Sequence, residues 1–338
     1  MKIKLLKKTW FRYILNTFSV LLLFMLIMTL INSGALNMYF ALLLIPIGFN
    51  IILAVSLNIS AGFLGQLPLG HAGFMAVGAY ASALFSISAD MPPVLEFALA
   101  LFIGGCVAAC FGVIIGLPAL RLRGDYLAII TLGFGEIIRV IILNVKFTGG
   151  AYGLRGIEKH TNVAGVFITV VITLFILTCL IRSRHGRAIL AIREDEIAAE
   201  ASGIPTTYYK VMAFTVSAFF AGIAGGLYAH YLSILDASTF GFMKSVEILV
   251  MVVLGGLGSM IGSVVSAIAL TLLPEMLRGF SEYRMVIYSL LLVIMMIFKP
   301  SGLFGRYDFS FGDTLDSLFT GIRKFILRKK HPAERGDE

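Results

Sequence analysis

Two oppositely charged residues, Glu136 and Arg139, lie three positions apart inside the apolar run 125–144. Residues at this spacing share one face of a helix, where opposite charges can neutralise each other. An ionisable side chain at membrane depth is a functional-site hypothesis, and a zwitterionic substrate would find both signs here. A purely structural ion pair near the outer end of a membrane span is the alternative interpretation.

Glycine-rich stretches interrupt two other apolar runs, at residues 62–70 and 254–262. Paired interruptions in the two halves of a transporter point to an internal repeat and to a substrate path at its interface. The two stretches are only weakly alike, so the repeat stays an open alternative. His71 follows the first stretch, where it either lines the path or serves as a hydrogen-bonded residue at a helix start. The candidate path residues are Gln66, His71, Glu136, Arg139, Gly255 and Gly258.

Residues 182–205 form a densely charged segment between two apolar runs. Carboxylates favour the first turn of a helix, and a glycine followed by a proline favours its end. This order predicts a short helix over 193–202, which is marginal alone in water and should dock on a partner. A solvated helix that only joins two spans is the alternative. The residues behind this prediction are the basic Arg182, Arg184, His185 and Arg187, the acidic Glu194, Asp195 and Glu196, and the terminating Gly203 and Pro205.

Sequence motifs of catalysis and of nucleotide binding are missing from the chain. It contains no Gly-Lys-Ser/Thr of a phosphate-binding loop, no Gly-X-Ser-X-Gly and no His-Glu-X-X-His. The five histidines are scattered, and the three cysteines lie in apolar runs without metal-ligand spacing. We therefore expect no catalytic site, no metal and no cofactor bound by this chain. Energy for driven transport must come from a partner or from an ion gradient.

The composition places the chain in a membrane. Hydrophobic residues make up 59% of it and charged residues 14%, whereas an average soluble protein carries roughly 25% charged residues. The net charge of +8 does not indicate nucleic-acid binding. The basic residues gather at the termini and in loops beside apolar runs, which is the pattern of positive-inside membrane topology.

A membrane span needs about 20 apolar residues, and this measure predicts an all-α polytopic membrane protein with about ten transmembrane helices. The shorter runs are candidates for re-entrant segments. Glycines spaced four apart, at 112/116, 222/226 and 258/262, would let helix backbones approach closely. The predicted spans are 13–31, 36–57, 69–88, 95–118, 125–144, 163–181, 207–232, 245–257, 260–277 and 284–298.

With ten spans, both termini and the charged segment lie on the cytoplasmic side. The basic residues at the start and end of the chain agree with this orientation, and the predicted outer loop 145–162, with three basic residues, is an exception. The expected organisation is a basic cytoplasmic N-terminus at 1–12, a transmembrane domain at 13–299 with a cytoplasmic loop at 182–206, and a polar cytoplasmic tail at 300–338.

Several long blocks of sequence follow one another in a distinctive order. They are GQLPLGHAGFMAVGAYAS (65–82), LRLRGDYLAIITLGFGEIIR (120–139), GAYGLRGI (150–157), GRAILAIREDEIAAEASGI (186–204), AFTVSAFFAGIAGGLYA (213–229) and VVLGGLGSMIGSVV (252–265). Together these blocks resemble the LivM-type permeases of branched-chain amino-acid ABC importers. The resemblance covers roughly residues 35–305.

The resemblance implies a multi-pass subunit in the lipid bilayer of a bacterial or archaeal-type cell membrane. Its implied partners are a LivH-like second permease subunit, two cytoplasmic ATPase subunits that bind ATP and Mg, and an extracytoplasmic solute-binding protein. In such importers a cytoplasmic loop docks into a groove of the ATPase. The residues here that match the family's loop are Gly186, Arg187, Arg193, Glu194, Asp195, Glu196, Ala198, Ala199, Glu200 and Gly203.

Leucine, isoleucine and valine are the substrates that the resemblance implies. Urea or short amides are an alternative, because their permeases are similar. A gradient-driven secondary transporter or a channel is a further alternative from a different class, although it gives the charged segment no role. An intramembrane enzyme would need a nucleophile with a base or a metal set, which the sequence lacks.

Overall fold

The computed structural model describes residues 38–89, 91–120, 122 and 124–277, together with positions 25, 29, 283, 286, 287, 289, 290, 293, 297, 298 and 302. Contacts divide the chain into two units, Met1–Leu36 with Asp308–Glu338, and Asn37–Tyr307. All helices named below belong to the second unit. The predicted span 13–31, the predicted span 284–298 and the two predicted terminal regions lie outside the continuously described ranges.

Helices dominate the described ranges, and their bounds follow the apolar runs closely. A π-helical turn, Ile59–Phe63, continues the first of them. The α-helices are α1 (Met38–Asn58), α2 (His71–Ser88), α3 (Pro93–Ala119), α4 (Asp125–Asn144), α5 (Val163–Arg182), α6 (Arg184–Glu194), α7 (Glu196–Ala201), α8 (Thr206–Leu232), α9 (Phe242–Gly255) and α10 (Met260–Met276).

Five helical stretches in the described part of the chain are long and apolar enough to cross a membrane: Tyr39–Phe63, Pro93–Ala119, Asp125–Asn144, Val163–Arg182 and Thr206–Leu232. The predicted class, an all-α multi-pass membrane protein, agrees with this finding. Helix α9 has only 14 residues, a length of about 21 Å against a hydrocarbon core of about 30 Å. The total of ten crossings stays a prediction.

Helices α2, α3 and α8 pack against one another through glycines. A Cβ atom on Gly78 of α2 would lie 2.1 Å from the Cα atom of Gly222 in α8. A Cβ atom on Gly222 would in turn lie 2.7 Å from the carbonyl oxygen of Gly104 in α3. A Cβ atom on Gly112 of α3 would lie 2.8 Å from the Cβ atom of Ala218 in α8. The close approach predicted from these glycines is therefore confirmed for Gly112 and Gly222, whereas Gly116 and Gly226 meet side chains of the neighbouring helices.

The third predicted glycine pair, 258/262, does not lie on one helix face. Gly258 occupies the turn between α9 and α10 with a φ of +86°, a conformation that side chains with a Cβ rarely adopt. Gly262 meets Gly255 instead, because a Cβ on Gly262 would lie 2.1 Å from the carbonyl oxygen of Gly255. The short distance lets α9 and α10 turn back on each other tightly.

Two-residue strands tie the loop after α4 to the loop after α8. Strand β1 (Leu154–Arg155) pairs antiparallel with β2 (Ile234–Leu235), with Leu154 opposite Leu235. Asp236 then caps a 3₁₀ turn by accepting hydrogen bonds from the backbone N–H and the hydroxyl of Ser238, at 2.9 Å and 2.6 Å. These bonds favour the charged form and hold the pKa of the Asp236 carboxyl below its usual range. The pairing of β1 with β2 joins the two loops at one end of the bundle.

Candidate functional site

The charged segment between α5 and α8 consists of two helices, so the predicted single helix over 193–202 is wrong. Helix α6 ends at Glu194 and α7 begins at Glu196. Between them, Asp195 is extended, and its Oδ1 accepts hydrogen bonds from the N–H groups of Ile197 at 2.9 Å and Ala198 at 3.0 Å. Asp195 is therefore an N-cap rather than a first-turn residue. The preference of aspartate for N-caps was the signal that could have placed this break.

The charged segment ends at the glycine and proline that the sequence predicts as its terminators. Gly203 has a φ of +82°, and its N–H donates to the carbonyl oxygen of Glu200 at 2.9 Å. A glycine in this conformation just after the last turn terminates α7. The next helix, α8, has no threonine N-cap. The helix already includes Thr206, and Pro205 precedes it without a side-chain capping bond. Proline sets the entry into this helix through its fixed φ.

Arg193 connects the charged segment to both glycine-rich stretches. Its Nη1 donates to the carbonyl oxygen of Gly62 at 2.8 Å, and its Nη2 donates to Oε1 of Glu194 at 2.9 Å. A Cβ on Gly65 would lie 2.7 Å from the Cγ of Arg193, and a Cβ on Gly258 would lie 3.1 Å from its Nη1. The absence of side chains at these glycines makes room for the arginine.

The two glycine-rich stretches meet at this point, as predicted for a shared interface. The Nδ2 of Asn58, at the end of α1, donates to the carbonyl oxygen of Ser259 and to the Oγ of Ser263, both at 2.9 Å. Its Oδ1 accepts the N–H of Gly258 at 2.9 Å. A Cβ on Gly62 would lie 2.2 Å from that same nitrogen atom. Asn58 was not among the predicted residues, because no local pattern distinguishes it.

A second link joins the charged segment to α8. Oε2 of Glu196 lies 2.7 Å from Nζ of Lys210, and Lys210 is only 4% exposed. A buried lysine keeps its charge only when a partner compensates for its lost hydration. Lys210 was not among the predicted residues, although a single lysine near the start of an apolar run was a visible signal.

Replacing Glu196 with glutamine should destabilise the protein by about 3–5 kcal/mol, because the charge of buried Lys210 would lose its partner. The double variant Glu196→Gln with Lys210→Met should recover most of that loss, since neither charge then remains. Thermal unfolding of the detergent-purified protein would measure both effects. Equal stability of the single variant and the original protein would contradict this account of the ion pair.

The remaining residues that match the family's loop divide between two faces. Gly186 and Ala199 are buried, and a Cβ on Gly186 would lie 2.0 Å from the carbonyl oxygen of Ile181. Ile197, which was not predicted, is 71% exposed between charged neighbours. The outward face combines charged side chains with the large apolar side chain of Ile197. Its other exposed members are Arg187, Glu194, Asp195, Ala198, Glu200 and Gly203.

Glu136 and Arg139 form the predicted ion pair, with 2.7 Å between Oε2 and Nε. The other carboxylate oxygen of Glu136 accepts the N–H of Phe242 at 3.1 Å. This N–H is the first of α9, so the glutamate also stabilises the positive end of that helix. The contacts agree with the structural alternative for this pair.

His71 and Gln66 differ in their surroundings. His71 is buried, and its Nε2 lies 3.0 Å from the Oγ of Ser56, which agrees with a hydrogen-bonded helix-start residue. The N–H of Ala72 donates to the Oγ of Ser245 at 3.1 Å. Gln66 is half-buried beside the Arg193 contact, and its Oε1 has no hydrogen-bond partner among the described residues. The candidate path residues therefore fall into two groups. Gln66, Gly255 and Gly258 belong to the glycine-rich stretches, and His71, Glu136 and Arg139 lie near the start of α9.

Comparison with known proteins shows to which family the chain belongs. A family model described as "Branched-chain amino acid transport system / permease component" matches residues 38–298. The chain belongs to this permease family. The resemblance to LivM-type permeases is thereby confirmed.

Two LivM relatives of the permease family are 40% identical to the chain over 288 residues, which cover 75% of the chain and 67% of each relative. Both are named high-affinity branched-chain amino acid transport system permease protein LivM, from Salmonella typhimurium and Escherichia coli. The corresponding LivH protein of Escherichia coli is 30% identical over 149 residues, 43% of the chain and 48% of the relative. No solved structure matches the chain.

Proposed function

We propose that this permease is one of two membrane subunits of an ATP-driven importer that moves leucine, isoleucine and valine into the cell by alternating access. The observation that carries the proposal is the position of Arg193. This residue belongs to the charged segment, yet its guanidinium lies against Gly62 and Gly258, where the two interrupted helical stretches meet. A movement of the charged segment would therefore act directly on the contact between these two stretches, where the bundle would open.

The partners follow from the family and from the missing phosphate-binding loop. A LivH-like subunit would complete the membrane part, and the similarity of LivH to this chain supports two related permeases in one assembly. Two cytoplasmic ATPase subunits would bind ATP and Mg, and an extracytoplasmic binding protein would deliver the substrate. The subunit would lie in the cell membrane of a bacterium or archaeon, with both termini and the segment at 182–206 on the cytoplasmic side.

The two links of the segment give the coupling a mechanical basis. Closure of the ATPases would displace the outward face of α6 and α7, including Ile197 and Glu200. The Glu196–Lys210 pair would transmit this displacement to α8, and Arg193 would transmit it to the glycine-rich stretches. Packed helices respond to such forces by switching between discrete arrangements.

Reconstitution of the complete complex in proteoliposomes tests the proposal. Uptake of labelled leucine should require both ATP inside the vesicles and the binding protein outside. Labelled urea should not accumulate under the same conditions. Leucine uptake that survives ATP depletion would instead identify a gradient-driven transporter, and uptake of urea without leucine would identify the other substrate class.

A further inference from the structure

A cavity of about 360 Å³ lies between α2, α8 and the first two turns of α9. Ligand-binding pockets for small molecules begin at about 300 Å³, so this volume suits a compact ligand. Neither the charged segment nor the predicted path residues line it. The side chains that matter for its chemistry are Met75, Tyr228, Phe240, Met243, Lys244 and Glu247.

One wall of the cavity carries a cation and an anion side by side. Nζ of Lys244 lies 3.0 Å from Oε2 of Glu247, one turn further along α9. Their side chains are 18% and 42% exposed, so Lys244 is the more enclosed of the two. Nζ of Lys244 also donates to Oδ1 of Asn50 at 3.5 Å, which holds the ammonium towards α1.

The opposite part of the cavity is apolar. Met75 and Phe240 are buried, and the rings of Tyr228 and Phe240 meet edge to face with 5.6 Å between their centroids. Met243 is 76% exposed, and methionine side chains adapt readily to irregular apolar shapes. Such a wall accepts an aliphatic side chain of moderate size.

We propose that this cavity is an amino-acid-binding site within the membrane part of the transporter. Glu247 would bind the α-ammonium group of the substrate, Lys244 its α-carboxylate, and the apolar wall its branched side chain. The inference rests on the proposed function and names where the substrate passes through this subunit.

The charge balance of the cavity suits a site of passage rather than of storage. Before substrate binds, Lys244 and Glu247 would neutralise each other, and a zwitterion would replace each partner with an opposite charge of its own. Both states are thus neutral overall, which avoids leaving an isolated charge at membrane depth. A site that is neutral before and after release can bind weakly enough to let the substrate leave.

The structure favours this pair over Glu136 and Arg139 for substrate contact. One oxygen of Glu136 already accepts the first N–H of α9 and the other accepts Arg139. Their role is to fix the start of the helix that carries Lys244 and Glu247. Glu136 and Arg139 would thus position the pair of Lys244 and Glu247 that binds the substrate.

Thiol labelling of the assembled transporter tests the site without relying on transport. Thr239 lines the cavity and is exposed, so Thr239→Cys in a variant whose three cysteines are replaced by serine should react with a small thiol reagent. Leucine should slow this reaction several-fold. Tyr152→Cys, in the exposed loop after α4, provides the control that leucine should leave unchanged.

Leucine analogues and charge variants then test the assigned roles. 3-Methylbutylamine lacks the carboxylate and 4-methylpentanoate lacks the ammonium group, so neither should protect Thr239→Cys at concentrations where leucine does. Lys244→Gln and Glu247→Gln should each raise the leucine concentration needed for protection about tenfold, which corresponds to the loss of one charge-assisted hydrogen bond. Equal protection by leucine and by either analogue would overturn the assignment of charges.

The outcomes separate this inference from the proposed function. If the transporter takes up leucine but leucine never protects Thr239→Cys, the cavity is not the site and the importer function stands. If no leucine is taken up at all, the proposed function itself fails. If a charge variant does not assemble, protection of Thr239→Cys with Lys244 and Glu247 intact still decides whether the cavity binds leucine.

Discussion

Arg193→Ala should reduce leucine uptake by the reconstituted transporter at least tenfold while ATP hydrolysis continues. The guanidinium donates to the carbonyl oxygen of Gly62 at 2.8 Å, and a hydrogen bond to a charged group contributes about 1.5–3 kcal/mol. Without it, the charged segment can move while the glycine-rich stretches stay in place. The quantity to measure is the number of leucine molecules taken up per ATP hydrolysed.

Two further variants sharpen this test. Arg193→Lys keeps the charge but loses the planar fork that serves Gly62 and Glu194 together, so its uptake should fall between those of the alanine variant and the original protein. Arg184→Ala removes an exposed arginine from the first position of α6 and should leave the ratio unchanged. An unchanged ratio in Arg193→Ala would remove this residue from the coupling mechanism.

Gly78→Ala should prevent the permease from accumulating as folded protein in the membrane. The added Cβ would lie 2.1 Å from the Cα of Gly222, 2.4 Å from its carbonyl oxygen and 2.6 Å from its carbonyl carbon. These are backbone atoms of another helix, and Gly222 cannot retreat because it already packs against Gly104 and Ala108 of α3. Overpacking of a core typically costs about 1–3 kcal/mol and costs more where the backbone cannot move.

Gly133→Ala is the matched control for this substitution. Gly133 also lies inside a helix of the bundle, but a Cβ there would meet nothing within 4 Å among the described residues. Alanine is preferred over glycine in a helix interior by about 1 kcal/mol, so this variant should accumulate at least as well as the original protein. Fluorescence-detected size-exclusion chromatography of membrane extracts measures both. Normal amounts of monodisperse Gly78→Ala protein would show that α2 and α8 are less tightly packed than the structure indicates.

The sequence alone determined where most of the helices lie. The predicted span 125–144 has the observed bounds, and the spans predicted at 163–181 and 207–232 differ from them by one residue at one end. The reason is that a bilayer imposes the length and the apolar character of each span locally. The function class was also accessible, because the sequence blocks that carry the resemblance to LivM-type permeases are features of the linear sequence.

Only the tertiary structure decided which residues act together. Arg193 and Gly62 are 131 positions apart, Asn58 and Ser259 are 201 apart, and no local pattern relates such partners. The ion pair Glu136–Arg139 was visible because its members share one helix face, yet its bond to Phe242 depends on where α9 starts. The cavity beside Lys244 was invisible for the same reason. Spacing along a helix determines which side chains share a face, whereas the packing of helices distant in sequence determines what that face meets.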